Sequence, residues 1–118
     1  MICLAVGAAL IALGDDITLA WRHSVEKTMW EETWRATPDG LVLARARVEG
    51  TGAGMEPPPD ARREGRFWAW TPRLPPQVRV TLRRSGAAGD WTICARGACR
   101  EAAALAGGAD PVFLKPCS

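Results

Sequence analysis

The length, composition and charge of the chain narrow the classes of protein to which it can belong. With 118 residues, two separate cores would each be too small to be stable, so we expect a single domain over residues 1–118. Hydrophobic residues make up 47% and charged residues 24%, a balance that excludes disorder and a polytopic membrane protein. The net charge of +2 provides no basic footprint for nucleic acid. A single histidine disfavours a histidine-based enzyme.

The start of the chain is almost entirely apolar, a feature that secretory signals and membrane spans share. A span needs about 20 apolar residues, but Gly14 and two aspartates interrupt the run, and no basic residue precedes Arg22 as in a signal peptide. The pattern instead predicts two short buried strands, Ile2 to Val6 and Leu10 to Leu13, joined by a turn at Gly7. We accordingly expect no clear export signal within these residues.

Two segments of alternating polarity follow this hairpin and are predicted to be strands. The first runs from Ile17 to His23 and places His23 in phase with the core-facing positions. In the second, Trp30, Glu32 and Trp34 share one face. The opposite face of this strand is predicted to carry Glu31, Thr33 and Arg35.

The next part of the chain contains a turn, a strand and a loop. Thr37 to Gly40 is predicted to form a tight turn. Leu41 to Val48 begins apolar and then alternates, so Arg45 and Arg47 are expected on a solvated face. Gly50 to Pro59 is predicted to be a loop, because glycines weaken a β-ladder and prolines lack the backbone donor.

The second half of the chain is predicted to contain short strands and almost no helix. The predicted elements are a strand at Phe67 to Trp70, antiparallel partners at Val78 to Arg83 and Trp91 to Cys94, a helix over Arg100 to Leu105 and a last strand at Val112 to Leu114. The charged segment Asp60 to Arg66 is expected to be exposed. Together these elements predict an all-β fold, either a small antiparallel β-sandwich or a partly open barrel, with at most one short helix.

Four cysteines suit two disulfides in an oxidising compartment. Because Cys94 and Cys99 flank a short glycine-containing loop and domain termini often lie close together, we favour pairing Cys94 with Cys99 and Cys3 with Cys117. A zinc site is the alternative, although two of its ligands would then be isolated at the termini. Free buried thiols are a third possibility.

The tryptophans are predicted to serve mainly in the core. Trp21, Trp30 and Trp34 have the strand spacing typical of core residues in a small domain. The alternative for Trp68 and Trp70, which neighbour Arg66 and Arg73, is an exposed stacking surface.

Three segments carry a resemblance to a known family. His23-Ser24-Val25-Glu26-Lys27, then Trp30-Glu31-Glu32 and Gly52-Ala53-Gly54-Met55, in this order and spacing, resemble the family catalogued as domain of unknown function 1850. The remainder from Phe67 to Cys117 is similar to the tryptophan-rich, cysteine-bearing branch of that family. The resemblance implies a small periplasmic or cell-envelope protein encoded beside a tripartite ATP-independent periplasmic (TRAP) transporter of the TAXI type, with no assigned enzymatic activity.

These residues define the candidate site. We expect the ligand- or partner-binding residues to be His23, Ser24, Glu26, Glu32, Gly52 and Gly54, because glycines allow backbone N–H groups to approach an anion or a partner chain. The expected partners are the substrate-binding protein or permease of the transporter, or a small anionic solute; no cofactor, metal or catalytic residue is predicted. The alternatives are a hydrolase that uses His23 with Glu31 or Glu32, and a purely structural envelope protein.

Overall fold

A computed structural model describes residues 1–22, 27–50, 57–84 and 90–118. Its elements, in chain order, are the strands β1 (Ile2–Val6), β2 (Ala9–Gly14), β3 (Asp16–Arg22), β4 (Met29–Thr37), β5 (Gly40–Glu49), β6 (Arg62–Glu64), β7 (Phe67–Trp70), β8 (Val80–Leu82), β9 (Thr92–Ala95) and β10 (Ala98–Glu101), then the helix α1 (Ala102–Ala106) and the strand β11 (Val112–Pro116). The strands form a four-stranded sheet in the order β2-β1-β11-β8 and a seven-stranded sheet in the order β10-β9-β3-β4-β5-β7-β6, both antiparallel. The prediction of an all-β fold is confirmed, and the arrangement is the sandwich.

The smaller sheet is built on the predicted N-terminal hairpin. Leu4 on β1 lies opposite Ile11 on β2 and opposite Leu114 on β11. The turn requires a left-handed residue, which Gly7 supplies with a φ of 58°. The apolar start of the chain therefore forms one side of this sheet, with β1 in the interior and β2 at the edge.

The larger sheet is organised around the hairpin of β4 and β5. Its turn is fixed by Thr37, whose Oγ1 donates to the Gly40 carbonyl at 2.8 Å and accepts the Asp39 N–H at 3.2 Å. Gly40 has a φ of 127°, and a Cβ there would lie 2.7 Å from the Gln77 carbonyl oxygen. Only glycine fits, which explains why the predicted turn is found at this position.

A β-bulge interrupts the alternation of β5. Thr33 lies opposite Arg45, whereas Trp34 lies opposite Leu43, so Ala44 is an extra residue on β5. Because a bulge shifts the alternation by one residue, Leu43 before it and Ala46 after it are both buried. The inner face of the larger sheet therefore stays apolar along the whole strand.

The main core lies between the two sheets. One inner face contributes Ile2, Leu4, Leu13, Leu82, Val112 and Leu114, and the other contributes Ile17, Leu19, Trp34, Leu41, Leu43 and Ile93. Ala102 of the short helix α1 completes the cluster. Since neither sheet can hide its apolar face alone, their packing against each other stabilises the fold.

Both predicted disulfides are present. Cys3 bonds to Cys117 and Cys94 bonds to Cys99, which excludes the zinc and free-thiol alternatives for these residues. Two disulfides indicate a protein that folds in an oxidising, extracytoplasmic compartment. Across the part of the chain that the structure describes, we find no helix with the length and apolarity needed to cross a membrane.

One predicted strand pairing and one predicted helix boundary are wrong. Val80–Leu82 pairs with β11 in the smaller sheet, whereas Thr92–Ala95 pairs with β3 and β10 in the larger sheet, so these two strands are not partners. The predicted helix from Arg100 begins only at Ala102, because Arg100 and Glu101 continue β10 opposite Ile93 and Thr92.

The expected exposure of the charged segments is partly wrong as well. Arg47 is only 26% exposed, because it stacks on Phe67, 4.1 Å from the ring centroid, and lies 3.5 Å from a Glu31 carboxylate oxygen. Arg45 forms an ion pair with Glu64 on the exposed edge strand β6, which the sequence pattern did not predict. The arginine face of β5 is therefore partly covered by the hairpin of β6 and β7.

Candidate functional site

Tryptophans line one end of the inner face of the larger sheet. Trp21 on β3 lies opposite Trp30 on β4, which lies opposite Val48 on β5, which in turn lies opposite Trp68 on β7. Trp91, just before β9, lies 4.9 Å from Trp21 between ring centroids. We call Trp91, Trp21, Trp30 and Trp68 the tryptophan row.

The members of the tryptophan row are half-buried, and several are packed on each other. The rings of Trp21 and Trp30 are stacked, with centroids 6.1 Å apart and planes 15° apart. Trp68 carries the Arg63 guanidinium 5.3 Å above its ring. The alternative of a stacking surface named Arg66 and Arg73, whereas the arginine that lies over Trp68 is Arg63, opposite it on the neighbouring strand β6.

Glu32 lies in the next row of the same face. It lies opposite Leu19 on one side and Ala46 on the other, and Trp34 donates its indole N–H to a Glu32 carboxylate oxygen at 3.2 Å. Burial among these apolar neighbours raises the pKa of Glu32 above its usual value, and the Trp34 hydrogen bond only partly opposes this effect. Glu32 is thus a carboxyl group that is easier to protonate than an exposed glutamate.

Glu31 and Glu32 point to opposite faces of β4, as neighbouring strand residues must. Glu31 pairs with Arg47 on the outer face, whereas Glu32 lies on the inner face beside Trp34. A single imidazole would therefore have only one of these two carboxylates on its own face of the sheet. The structure does not bring them together into one polar cluster.

The strand ends at the tryptophan row are fastened by Glu49. Its carboxylate accepts the Met29 N–H at 3.2 Å and an Arg66 N–H at 3.3 Å. The hydrogen bond from Met29, followed by that from Arg66, lowers the pKa of Glu49 below its usual value. Gly50 adds a backbone hydrogen bond to the Arg66 carbonyl at 2.8 Å. The start of β4, the end of β5 and the turn before β7 are thereby held together at one end of the sheet.

Basic side chains surround this end of the sheet. Arg22 donates to the Lys27 carbonyl at 2.7 Å, and both side chains are exposed. The Arg66 side chain is 76% exposed, and Arg63 is exposed on β6. Among the described residues, these four cations border the tryptophan row, and Arg66 is paired with Glu49.

Of the six predicted binding residues, the structure places only Glu32. His23, Ser24, Glu26, Gly52 and Gly54 lie outside the described residues. Their segments connect to the sheet at Arg22 and Gly50, which are at the end that carries the tryptophan row. The described residues that flank the two predicted segments therefore lie at the same end of the larger sheet.

Sequence reasoning missed Glu49 and Arg22 as site residues. Glu49 ends one alternating strand and Arg22 ends another. In the sequence alone, a charged residue at a strand end is indistinguishable from an ordinary solvent-exposed charge. The pairing of Arg22 with Met29 and of Trp30 with Val48 is what brings them together. Only a correct strand register could have revealed this arrangement.

The two packed sheets and the two disulfides identify the chain as a β-sandwich protein of an oxidising, extracytoplasmic compartment. The family model described as domain of unknown function (DUF1850) matches residues 17–101, and the chain therefore belongs to this family. Comparison with curated proteins and with solved structures gives no significant match. The matched range includes the tryptophan row, Glu32 and the Cys94–Cys99 disulfide.

Proposed function

We propose that this chain is a non-catalytic accessory protein of the cell envelope that serves a TAXI-type TRAP transporter, and that it binds a transporter component or a small anionic solute at the tryptophan row. Its two disulfides support a role outside the cytoplasm, and the link to a transporter rests on what the resemblance to the DUF1850 family implies. The observation that carries the proposal is the convergence of the tryptophan row with a basic border at one end of one sheet.

The chemistry of this end suits an anionic group on the partner. Tryptophan and arginine are the residue types that contribute most to binding at protein interfaces. Arg22 and Lys27 add positive charge nearby.

The hydrolase alternative receives less support. With Glu31 on the outer face and paired with Arg47, only Glu32 remains for a site with His23. A general base also needs a defined hydrogen bond to the proton it abstracts, and the Glu32 hydrogen bond in this structure comes from Trp34. We therefore propose binding rather than hydrolysis.

The proposal is tested by capture of the co-encoded transporter proteins. The immobilised chain, with both disulfides formed, is expected to retain either the substrate-binding protein or the permease. Gly54→Val should weaken capture because a side chain would obstruct close backbone approach. Gly108→Val is the matched control, since a Cβ there meets nothing within 4 Å.

The role of His23 is separated from folding in the same assay. His23→Gln is expected to weaken capture more than its loss of thermal stability explains. Failure to capture either transporter protein would reject the transporter role. Equal capture by folded His23→Gln, Gly54→Val and Gly108→Val would mean that His23 and Gly54 serve only the fold.

A further inference from the structure

A groove lies between the edges of the two sheets, on the side where β2 and β10 are the last strands. It encloses about 310 Å³, which is at the lower end of the range of about 300–1,000 Å³ typical of small-molecule sites. Ile11 and Leu13 line it from the smaller sheet, Ile93 from the larger sheet and Leu105 from α1. The interior of the groove is therefore aliphatic.

Two arginines border this aliphatic groove. Arg100 lies opposite Ile93 in the register of β9 and β10, so its side chain leaves the strand on the groove side. Arg96 lies in the turn between these strands and reaches the smaller sheet, where its Nε is 3.4 Å from the position of a Cβ on Gly14. Among the described residues, neither arginine has a carboxylate within ion-pair distance.

The backbone at Arg96 is unusual. Arg96 has a φ of 53° and Gly97 a φ of 78°, as in two-residue hairpin turns whose first position prefers asparagine, aspartate or glycine. A side chain such as arginine is disfavoured in this left-handed conformation, and such strain is concentrated at functional sites. The Cys94–Cys99 disulfide joins the two strands next to this turn and holds it in place.

We propose that this groove binds a free aliphatic monocarboxylate, with its chain between Ile11, Leu13 and Ile93 and its carboxylate held by Arg96 and Arg100. Arginine is the preferred partner for a carboxylate because its planar fork matches the two oxygens. The volume fits one short chain rather than the two chains of a phospholipid. In a symmetric dimer through this face, the same arginines of both copies would be brought together, so a second copy is a poor occupant.

This site is separate from the tryptophan row and rests on different residues, so each can fail without the other. The probe is decanoate, titrated into the disulfide-bonded chain below the concentration at which it forms micelles. We expect one decanoate per chain, and an affinity that rises about three- to fourfold for each methylene added from hexanoate to decanoate. No binding of decanoate, or an affinity independent of chain length, would overturn the proposal.

The roles of charge and space are separated by two variants. Arg96→Gln/Arg100→Gln is expected to weaken decanoate binding by about tenfold or more, whereas the control Arg73→Gln/Arg83→Gln, which removes the same charge elsewhere, should bind normally. Ala98→Phe keeps both arginines but fills the groove and should also weaken binding. Equal affinities in the arginine pair and its control would refute the carboxylate contact.

Two further measurements test the other occupants. Decyltrimethylammonium has a similar chain with a cationic head, and it should not bind; equal binding of both probes would overturn the assignment to a carboxylate. Sedimentation of the chain with vesicles of anionic phospholipid should show no arginine-dependent binding. If vesicles bind through Arg96 and Arg100 while decanoate does not, or if Ala98→Phe dissociates a dimer, the free carboxylate is the wrong occupant.

Discussion

Trp34 and Trp30 belong to the same strand and the same face, yet they have different surroundings. Trp34 is 3% exposed, lies opposite Leu43 and belongs to the core cluster between the sheets. Trp30 is half-buried, lies opposite Val48 and is stacked on Trp21. The difference is that the smaller sheet covers one end of the inner face, whereas the other end carries the tryptophan row. A tryptophan on the core-facing side of this strand therefore either fills the core between the sheets, as Trp34 does, or belongs to the half-buried tryptophan row, as Trp30 does.

The largest loss of stability is expected from removing the disulfide of the smaller sheet. Removing the Cys3–Cys117 bond, which closes a loop with a sequence separation of 114, is expected to cost about 4–5 kcal/mol by loop-closure entropy. The Cys94–Cys99 bond has a separation of 5 and should contribute only about 2 kcal/mol by the same relation. Chemical denaturation of the two double-alanine variants measures both values. A larger loss for Cys94→Ala/Cys99→Ala would contradict this ranking.

The next largest loss of stability is expected from truncating a core tryptophan, in contrast to one from the tryptophan row. Trp34→Ala is expected to lower the free energy of unfolding by about 3–5 kcal/mol, because it leaves a cavity between the sheets. Trp68→Ala, at the far end of the same face, should cost clearly less, since Trp68 is only half-buried. Equilibrium unfolding in urea compares them. Equal losses would mean that the tryptophan row is as much a part of the core as Trp34.

The pH dependence of Glu32 gives the smallest effect. Because the pKa of Glu32 is raised in the folded state, its protonated form stabilises the fold below the unfolded pKa, and this contribution is lost as the pH rises through the folded value. Glu32→Gln should therefore gain stability relative to the unmodified chain as the pH rises above about 4.5, the usual glutamate value. Thermal melts from pH 4 to 8 measure this difference. Glu31→Gln is the control, and the account is wrong if both variants show the same pH trend.

Sequence patterns predicted the parts of the fold that depend on local chemistry. The Gly7 hairpin, the Thr37 turn and both disulfides follow from turn residues and cysteine spacing. The bulge at Ala44 could not be predicted, because alanine is compatible with either face and the extra residue shows only in the pairing with β4.

The sequence pattern also could not predict which strands that are distant in the chain pair with each other. Val80–Leu82 and Thr92–Ala95 have the spacing of a hairpin, yet they join different sheets. β9 instead pairs with β10, which Cys94–Cys99 joins to it. For the candidate site, the pattern correctly placed Glu32 in phase with the tryptophans, but the contribution of Glu49 depends on hydrogen bonds to Met29 and Arg66 that lie far away in the sequence.

The tryptophan row and its basic border are proposed to form the binding surface of the protein. The most direct test is calorimetry of the chain with the transporter protein that the capture experiment retains, comparing Arg22→Gln/Arg66→Gln with the charge-matched control Arg73→Gln/Arg79→Gln, in which Arg79 lies against Phe113 of the smaller sheet. We predict that the first pair weakens binding by about tenfold or more, since charge-assisted contacts contribute about 1.5–3 kcal/mol each, and that the control pair leaves it unchanged. Equal affinities of the two folded variants would contradict the claim.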